Sequence, residues 1–232
     1  MSTSPVRSVT DSSAGSGVVI APAPWKLRGE GYVMMIKLPL PRGRAELFAP
    51  TELAEARFGQ FGCVMFVDYA ESPVGPYHEL LFIPGTFRFG RRRLPSITKI
   101  YVSSQASVDS GQHNWGIPKE LGQFTVVDGD DGVKRVTMRI ADRIVVELWL
   151  RHNKLGVPVT TSFIPADFRT FGQAFSGHTF AVSPSGRAFM QRAKVVHAWS
   201  EPGFFANLAT ERVVAALRMS KIDLTFPLAT IT

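Results

Sequence analysis

The chain has 232 residues and a formal net charge of +7, and 45% of its residues are hydrophobic. This composition suffices for a sizeable core, and no apolar run reaches the ~18 residues that a bilayer-spanning helix needs, so we expect no membrane partner. The single cysteine, Cys63, cannot form an internal disulfide and stands in an apolar run, which indicates a buried, inert thiol and a cytoplasmic protein.

Residues 1–20 differ in composition from the rest of the chain. They are rich in Ser, Thr and Gly, and they contain too little apolar surface to offset the entropy cost of ordering. The Pro-Ala-Pro-Trp sequence at 22–25 then favours extended backbone where the folded part begins. We therefore predict a disordered N-terminal leader over 1–20 and one β domain over 21–232.

Short apolar runs separated by turn residues recur along the folded part and predict strands. Several runs, such as 144–150, are apolar without alternation, which is typical of strands covered on both faces. Asp-Gly-Asp-Asp-Gly at 128–132 predicts the turn of a hairpin. The predicted strands span about 31–38, 62–70, 78–84, 97–103, 123–128, 133–140, 143–150, 158–164, 187–198 and 221–226.

Helical patterning is confined to 51–57 and 205–218. One further helical turn is predicted around 118–122, because Pro118 suits the first position of a helix. The sequence therefore predicts a mainly β (α+β) fold: a single antiparallel β domain, closed or nearly closed into a barrel or cone-like sheet, with a few short helices.

The densest basic charge is a cluster of four arginines, Arg88, Arg91, Arg92 and Arg93. A nucleic-acid or anionic surface is one interpretation, but no basic helix and no set of interleaved aromatic residues accompanies the cluster. A solvated loop or a subunit contact is the favoured interpretation, so we expect no nucleic-acid partner.

The five histidines give no metal-binding pattern. They lie far apart, and none forms a His-x-x-x-His pair, so a zinc ion would have to recruit scattered ligands. We therefore predict no metal site.

The stretch Asn-Trp-Gly-Ile-Pro-Lys-Glu-Leu at 114–121 places one lysine, Lys119, among residues typical of an apolar pocket wall. A lysine kept out of water loses much of its preference for the ammonium form, and a free amine is a nucleophile for carbonyl carbon. Taken alone, the stretch more often marks a surface lysine at the mouth of a turn, because lysine is among the residues least often buried.

Two segments together resemble the acetoacetate decarboxylase family. Residues 75–81 read Gly-Pro-Tyr-His-Glu-Leu-Leu, and residues 101–124 end in the block around Lys119. Family members carry a tyrosine-containing segment that ends in a glutamate, then a Gly-Arg-Glu-like element, then an aromatic-Pro-Lys-Lys-Leu block. The resemblance is diffuse outside these segments, and it identifies a divergent member of the family.

The resemblance implies that Lys119 is the Schiff-base lysine of a carbon–carbon lyase acting on a small keto substrate. The imine is itself the electron sink, so no cofactor is implied, and the same sink serves decarboxylation, aldol-type chemistry and dehydration. The resemblance also implies a homo-oligomer. Glu79 would transfer protons, and four further residues would shape the pocket: Tyr77, Gln112, His113 and Trp115.

The chain departs from the family pattern in ways that affect the charge of the site. The second lysine of the block is Glu120, whose carboxylate would favour the charged form of Lys119 if both side chains shared a pocket. The family's carboxylate-binding arginine aligns with Glu30, and Arg28 stands two residues away as a substitute. Decarboxylation is therefore in doubt, whereas imine chemistry on a neutral ketone or aldehyde stays open.

Two other classes of protein compete with the enzyme. One is a non-catalytic β-barrel that binds an apolar small molecule, with the lysine as a simple anchor. The other is an anion- or nucleic-acid-binding protein that acts through the arginine cluster.

Overall fold

The computed structural model describes residues 19–38, 44–51, 53 and 57–232, which form mainly β-strands. The helices are α1 (Arg44–Leu47), α2 (Gln105–Trp115) and α3 (Ala166–Arg169), with a 3-10 turn at Thr161–Phe163. The strands are β1 (Trp25–Lys37), β2 (Phe61–Glu71), β3 (Tyr77–Ile83), β4 (Thr86–Phe89), β5 (Arg92–Pro95), β6 (Lys99–Val102), β7 (Lys119–Leu121), β8 (Gln123–Asp128), β9 (Val133–Ile140), β10 (Arg143–Thr160), β11 (Phe171–Phe175), β12 (His178–Val182), β13 (Ser185–Ser200), β14 (Arg212–Phe226) and β15 (Thr230–Ile231).

One ten-stranded sheet dominates the fold, in the order β7-β6-β3-β2-β1-β14-β13-β10-β9-β8. Its pairs are antiparallel except for β6 with β7. The sheet curls so that β8, at one end, approaches β2 and β3 near the other end: the ring of Phe124 on β8 lies 6.5 Å from that of Phe66 on β2 and 5.8 Å from that of His78 on β3. The predicted mainly β fold with a nearly closed antiparallel sheet is confirmed.

The two faces of this sheet bury separate cores. The inner core draws residues from both ends of the sheet, among them Tyr32, Leu80 and Met138. The outer core lies under α2 and the small sheet β11-β12-β15, and it includes Trp25, Tyr77, Val102, Val108 and Trp115. Because successive residues of a strand point to opposite faces, β1, β2, β3 and β6 contribute buried residues to both cores.

The predicted hairpin turn over 128–132 is confirmed, because β8 and β9 pair antiparallel on either side of it. The predicted helix over 205–218 is wrong. Residues 212–226 form strand β14, which pairs with β1 on one side and β13 on the other, so its apolar residues serve the centre of the sheet. The predicted helical turn around 118–122 is also wrong, because residues 119–121 form β7 beside β6.

The longest helix, α2, lacks a helical apolar pattern in its sequence. Its buried positions include small residues such as Ser107, Ser110 and Gly111, which let it pack closely on the sheet. Ser104 caps the first turn by accepting a hydrogen bond from the backbone of Ser107, and Gly116 closes the last turn in the left-handed conformation at φ 61°. The helix is therefore specified by its caps and by packing.

Some predictions fall on parts of the chain that the structure does not describe. The predicted leader over 1–20 lies outside the described residues except for 19 and 20, and the predicted helix over 51–57 falls largely on 52 and 54–56, which are also outside. The arginine cluster lies on the β4–β5 hairpin, with exposed side chains. Within the described ranges, no helix is long and apolar enough to cross a membrane.

Candidate active site

A cavity of about 230 Å³ lies between the outer face of the large sheet and the layer that covers it. Strands β1, β2, β3 and β14 form its floor. The rest of its wall comes from the end of α2, the segment after it, the 3-10 turn, α3, β11 and two loop residues, Ile97 and Pro184. Most of the lining side chains are apolar or aromatic: Trp25, Leu27, Met65, Val67, Leu81, Ile83, Ile97, Trp115, Ile117, Phe171, Pro184, Leu224 and Phe226.

Lys119 enters this cavity from the first residue of β7 and is only 4% exposed. Its Nζ lies 2.9 Å from Oε2 of Glu79 and 3.0 Å from Oγ of Ser107. Glu79, on β3, is 6% exposed, and β6 lies between the two strands in the sheet. A buried charge without a partner is costly, so the two side chains stabilise each other's burial.

The pair has the arrangement of a nucleophile beside its base. Moving one proton from Nζ of Lys119 to Oε2 of Glu79, over the 2.9 Å between them, gives a free amine and a neutral carboxylic acid. Oγ of Ser107 accepts a hydrogen bond from the same nitrogen and can hold the amine in place during this transfer. The site can therefore form and hold a nucleophilic amine without a group from bulk solvent.

Two tyrosines stand beside the pair as neutral hydroxyls. The ring centre of Tyr77 is 5.2 Å from Nζ of Lys119, and the rings of Tyr69 and Tyr77 are 5.0 Å apart. Burial, and after it the negative charge of Glu79, raises the pKa of both phenols well above the usual value. Both phenols therefore stay protonated at neutral pH and can donate hydrogen bonds to an oxygen in the cavity.

Helix α2 sets the path of the lysine side chain. A Cβ atom at Gly111 would lie 2.6 Å from Cδ and 2.8 Å from Cε of Lys119, so only glycine leaves room for the stem. The side-chain amide of Gln112 donates to the backbone carbonyl of Lys119 at 2.9 Å and fixes the start of β7. Both contacts place Nζ where Glu79 can reach it.

Two tryptophans wall off one end of the cavity. The rings of Trp25 and Trp115 meet edge to face at 5.2 Å, and Trp115 meets Phe226 at 5.3 Å. The indole nitrogens are satisfied by backbone carbonyls, of Ala21 for Trp25 and of Pro227 for Trp115. These large apolar faces strengthen the electrostatic interactions of the ion pair because they exclude solvent from it.

The structure brings together four of the residues that the sequence singled out. Lys119, Glu79, Tyr77 and Trp115 all line the cavity. Gln112 contacts the backbone of Lys119 and lines no part of the cavity wall. His113 is exposed on α2 and lies outside the cavity, because the helix turns its neighbours Gly111 and Trp115 inward instead.

The structure does not bring Arg28 and Glu30 to the cavity. On β1 the alternation of side chains directs Trp25 and Leu27 into it, so the even-numbered positions face the other way. Arg28 is exposed and pairs with Glu71 at 3.1 Å. Glu30 pairs with Lys134 at 3.2 Å and with Arg218. Neither residue is placed to bind a substrate at Lys119.

Glu120 also faces away from the cavity. Its carboxylate is exposed and lies 2.6 Å from Nζ of Lys99. Lys119 and Glu120 are consecutive residues of β7, so their side chains point to opposite faces. The substitution of glutamate for the family's second lysine therefore adds no carboxylate to the cavity.

Other candidate residues were not evident from the sequence. Tyr69 stands opposite Tyr77 in the β2–β3 register, and Ser107 lies inside the segment 101–124 without a recognisable motif. Arg169 reaches the cavity from α3, well after the segment around Lys119 in the sequence. Burial raises the pKa of the Cys63 thiol to about 12, as expected of an inert thiol. Among the described residues no group of three or more histidine, cysteine or acidic side chains could hold a metal ion.

The sequence matches no protein-family model and no curated protein. The fold, however, is similar to that of acetoacetate decarboxylase from Legionella pneumophila subsp. pneumophila str. Philadelphia 1, with a TM-score of 0.65 at 10% identity over 100% of this chain and 98% of that one. An acetoacetate decarboxylase-like enzyme from Sphingomonas wittichii RW1 gives 0.62 at 14% identity over 92% and 94%. The enduracididine biosynthesis enzyme MppR, complexed with the condensation product of pyruvate and imidazole 4-carboxaldehyde, gives 0.61 at 14% identity over 99% and 97%. The chain therefore has the acetoacetate decarboxylase-like fold that the sequence resemblance implied.

Proposed function

We propose that the protein is a Schiff-base-forming lyase of the acetoacetate decarboxylase type, with Lys119 as the nucleophile and Glu79 as the proton-transfer group. The observation that carries the proposal is the 2.9 Å contact between the two side chains at the wall of a small, mostly apolar cavity. A surface lysine would have water as its partner, whereas this one has a base, a hydroxyl and space for a small carbonyl compound beside it.

Imine formation uses the proton that the pair already shares. Glu79 accepts a proton from Lys119, and the free amine adds to the carbonyl carbon while its second proton passes to the carbonyl oxygen, giving a carbinolamine. Glu79 then returns its proton to the carbinolamine hydroxyl, which leaves as water. The products are a protonated imine and a carboxylate, so the site begins and ends the step as an ion pair.

The protonated imine can then accept an electron pair in more than one way. Loss of carbon dioxide from a β-keto acid leaves the pair on the enamine, and an acid returns a proton to carbon. Alternatively, Glu79 removes a proton from the α-carbon, and the enamine attacks an aldehyde in an aldol-type step. MppR, which binds a condensation product of pyruvate and an aldehyde, supports the second course, and the decarboxylase neighbours support the first.

The mostly apolar wall of the cavity also favours a second candidate, a non-catalytic barrel that binds an apolar small molecule. The two candidates differ in one respect that can be measured. An enzyme of the proposed type forms a covalent bond between Lys119 and a carbonyl compound, whereas a binding protein does not. Cytoplasmic location and homo-oligomeric assembly stay predictions under either candidate.

Reductive trapping tests the proposal. Wild-type protein incubated with a panel of small ketones, keto acids and aldehydes in the presence of cyanoborohydride should gain the mass of a reduced adduct, and peptide mapping should place it on Lys119. Glu79→Gln should still be trapped but should turn over more slowly by about a hundredfold or more, because proton transfer is impaired while the amine remains. Absence of an adduct across the panel would favour the binding protein.

A further inference from the structure

The charges around the cavity do not balance. Of the described residues that line it, three are charged: Glu79, Lys119 and Arg169. Glu79 and Lys119 neutralise each other at 2.9 Å. Arg169 leaves one positive charge at the wall of a space that is otherwise mainly apolar, and such a charge attracts an anion.

Arg169 is held in place by backbone carbonyls. Its Nη1 donates to the carbonyl oxygens of Ser183, at 2.8 Å, and Pro184, and its Nε donates to that of Ile164 at 3.3 Å. Pro184 itself lines the cavity, so these contacts hold the guanidinium beside the cavity wall. Carbonyl oxygens fix the orientation of the group but do not neutralise its charge.

The second terminal nitrogen of Arg169, Nη2, is available to a ligand. Within the described part of the chain, no side chain or backbone group accepts a hydrogen bond from it, and no carboxylate lies within ion-pair distance of Arg169. Nη2 of Arg169 is also not one of the described side-chain atoms that are fully buried without a hydrogen-bond partner. It therefore keeps access to the cavity or to solvent.

We propose that Arg169 binds the carboxylate of a small keto acid whose carbonyl carbon condenses with Lys119. This inference rests on the proposed function, and it names the substrate class. Guanidinium is the side chain best suited to a planar carboxylate, because its forked N–H donors match the two oxygens. A monoanion would balance the single excess charge, and about 230 Å³ is below the range of cavities for larger organic ligands, which favours a short substrate.

The proposal separates the binding of the carboxylate from the chemistry at the carbonyl. Lys119 and Glu79 should act on any ketone that fits, whereas Arg169 should matter only when the ketone carries a carboxylate. A matched pair of probes, 4-oxopentanoate and the neutral ketone 2-pentanone, isolates this difference. Wild-type protein should be trapped at a lower concentration of the keto acid than of the ketone.

The test compares Arg169→Gln with Arg187→Gln, which removes the same charge from an exposed arginine paired with Asp223. Arg169→Gln should raise the 4-oxopentanoate concentration for half-maximal trapping by about tenfold to about a hundredfold, the range expected from one lost charged hydrogen bond. Trapping by 2-pentanone should not change. Arg187→Gln should leave both values near those of the wild type.

Loss of the contacts to Ser183 and Pro184 could loosen the wall itself, so Arg169→Lys is measured as well. If Arg169→Gln weakens trapping of both probes, Arg169→Lys should restore trapping of 4-oxopentanoate more than trapping of 2-pentanone, because lysine restores the charge. Two results would overturn the role of Arg169. Either both variants change the trapping of the two probes in parallel, or Arg169→Gln leaves the trapping of 4-oxopentanoate unchanged.

Failure of this inference is distinguishable from failure of the proposed function. If wild type forms no adduct with either probe, imine chemistry fails, and calorimetric binding of 4-oxopentanoate to wild type and Arg169→Gln then tests the arginine by itself. Weaker binding to Arg169→Gln would uphold carboxylate recognition without catalysis. Equal binding, or no binding to either protein, would reject it.

Discussion

Two buried lysines occupy opposite faces of the large sheet. Lys119 is 4% exposed on the outer face, and Lys134 is 7% exposed on the inner face, near one end of β9. Each lies within 3.2 Å of a glutamate, Glu79 in the first case and Glu30 in the second. Burial and an acidic partner are therefore common to both lysines and do not identify a nucleophile.

The number of charges around each lysine distinguishes them. Lys134 also contacts Asp128 at 3.0 Å, and its partner Glu30 pairs in addition with Arg218. Burial by itself would lower the pKa of Lys134, but the hydrogen bond to Asp128 and the charge of Glu30 outweigh it and raise that pKa. Lys134 is therefore held as a cation, whereas Lys119 has one carboxylate, one hydroxyl and a cavity beside its amine.

The largest expected effect comes from replacing each lysine by arginine. Guanidinium keeps the charge but stays protonated and forms no imine, so Lys119→Arg should abolish reductive trapping and turnover. Lys134→Arg should keep both, because arginine can pair with the carboxylates that surround Lys134. Intact-mass analysis after cyanoborohydride treatment measures the adduct in both variants. An adduct that persists in Lys119→Arg and disappears in Lys134→Arg would reverse the assignment.

Gly111→Ala should impair catalysis while leaving the fold intact. Alanine is the better helix former by about 1 kcal/mol, so α2 itself should gain stability. Its Cβ would lie 2.6 Å from Cδ of Lys119, however, so the lysine stem has to move. A displacement near 1 Å can cost about a hundredfold in rate. We expect that order of loss in turnover with little change in melting temperature.

His113→Ala is the matched control on the same helix. It makes an equally small change at an exposed position of α2, where no cavity wall is affected. Turnover should stay at the wild-type level. If His113→Ala slowed turnover and Gly111→Ala did not, the orientation of α2 over the cavity would be wrong.

The Glu30 cluster should affect stability and not catalysis. Burial would raise the pKa of Glu30, but Lys134 and Arg218 lower it below the ordinary value of 4.5. A lowered pKa in the folded state contributes stability that is present above the unfolded pKa and is lost as pH falls through the folded pKa. Glu30→Gln should therefore destabilise the protein at neutral pH, and the difference from wild type should shrink below about pH 4.5.

Urea unfolding of Glu30→Gln between pH 3 and pH 7 measures this effect. Glu71→Gln, which removes the exposed partner of Arg28, serves as the control and should change stability little at any pH. Trapping at Lys119 should be normal in both variants, because neither residue lines the cavity. A loss of stability in Glu30→Gln that did not vary with pH would contradict the role of its charge.

The sequence predicted the sheet more fully than it predicted the site. Strands could be predicted because apolar residues recur in them. The predicted helix over 205–218 was wrong because pairing with β1 and β13 overrode the local sequence pattern. Lys119 and Glu79 could be named from motifs. The face of the sheet to which a β1 side chain points could not be predicted, because a change of one residue in register turns every side chain to the opposite face. The register of β1 shifts between Gly29 and Gly31.

Site residues that lie far apart in sequence could not be predicted, for a different reason. Tyr69, Ser107 and Arg169 belong to separate elements that meet only after the sheet curls and α2 and β11 cover it. Their side chains form no motif, since their spacing in the chain has no fixed relation to their distance in the cavity. Tertiary packing alone assembles this part of the site.

Glu120→Lys should have the smallest catalytic effect, although it restores the lysine pair of the family. Residue 120 faces Lys99 on the exposed side of β7, so the new cation should not reach the cavity. The pH dependence of trapping at Lys119 should therefore match that of the wild type. Stability should fall, by about 1 kcal/mol, because a partly exposed ion pair is replaced by two like charges.

The double variant Lys99→Glu with Glu120→Lys separates the two effects of this substitution. It re-forms an ion pair at the same place with the charges exchanged, so stability should recover while the trapping profile stays unchanged. A profile that shifted to lower pH in both variants would mean that residue 120 acts on the amine of Lys119. The two lysines would then share one pocket, and the alternation of side chains along β7 that separates the exposed face from the cavity would be wrong.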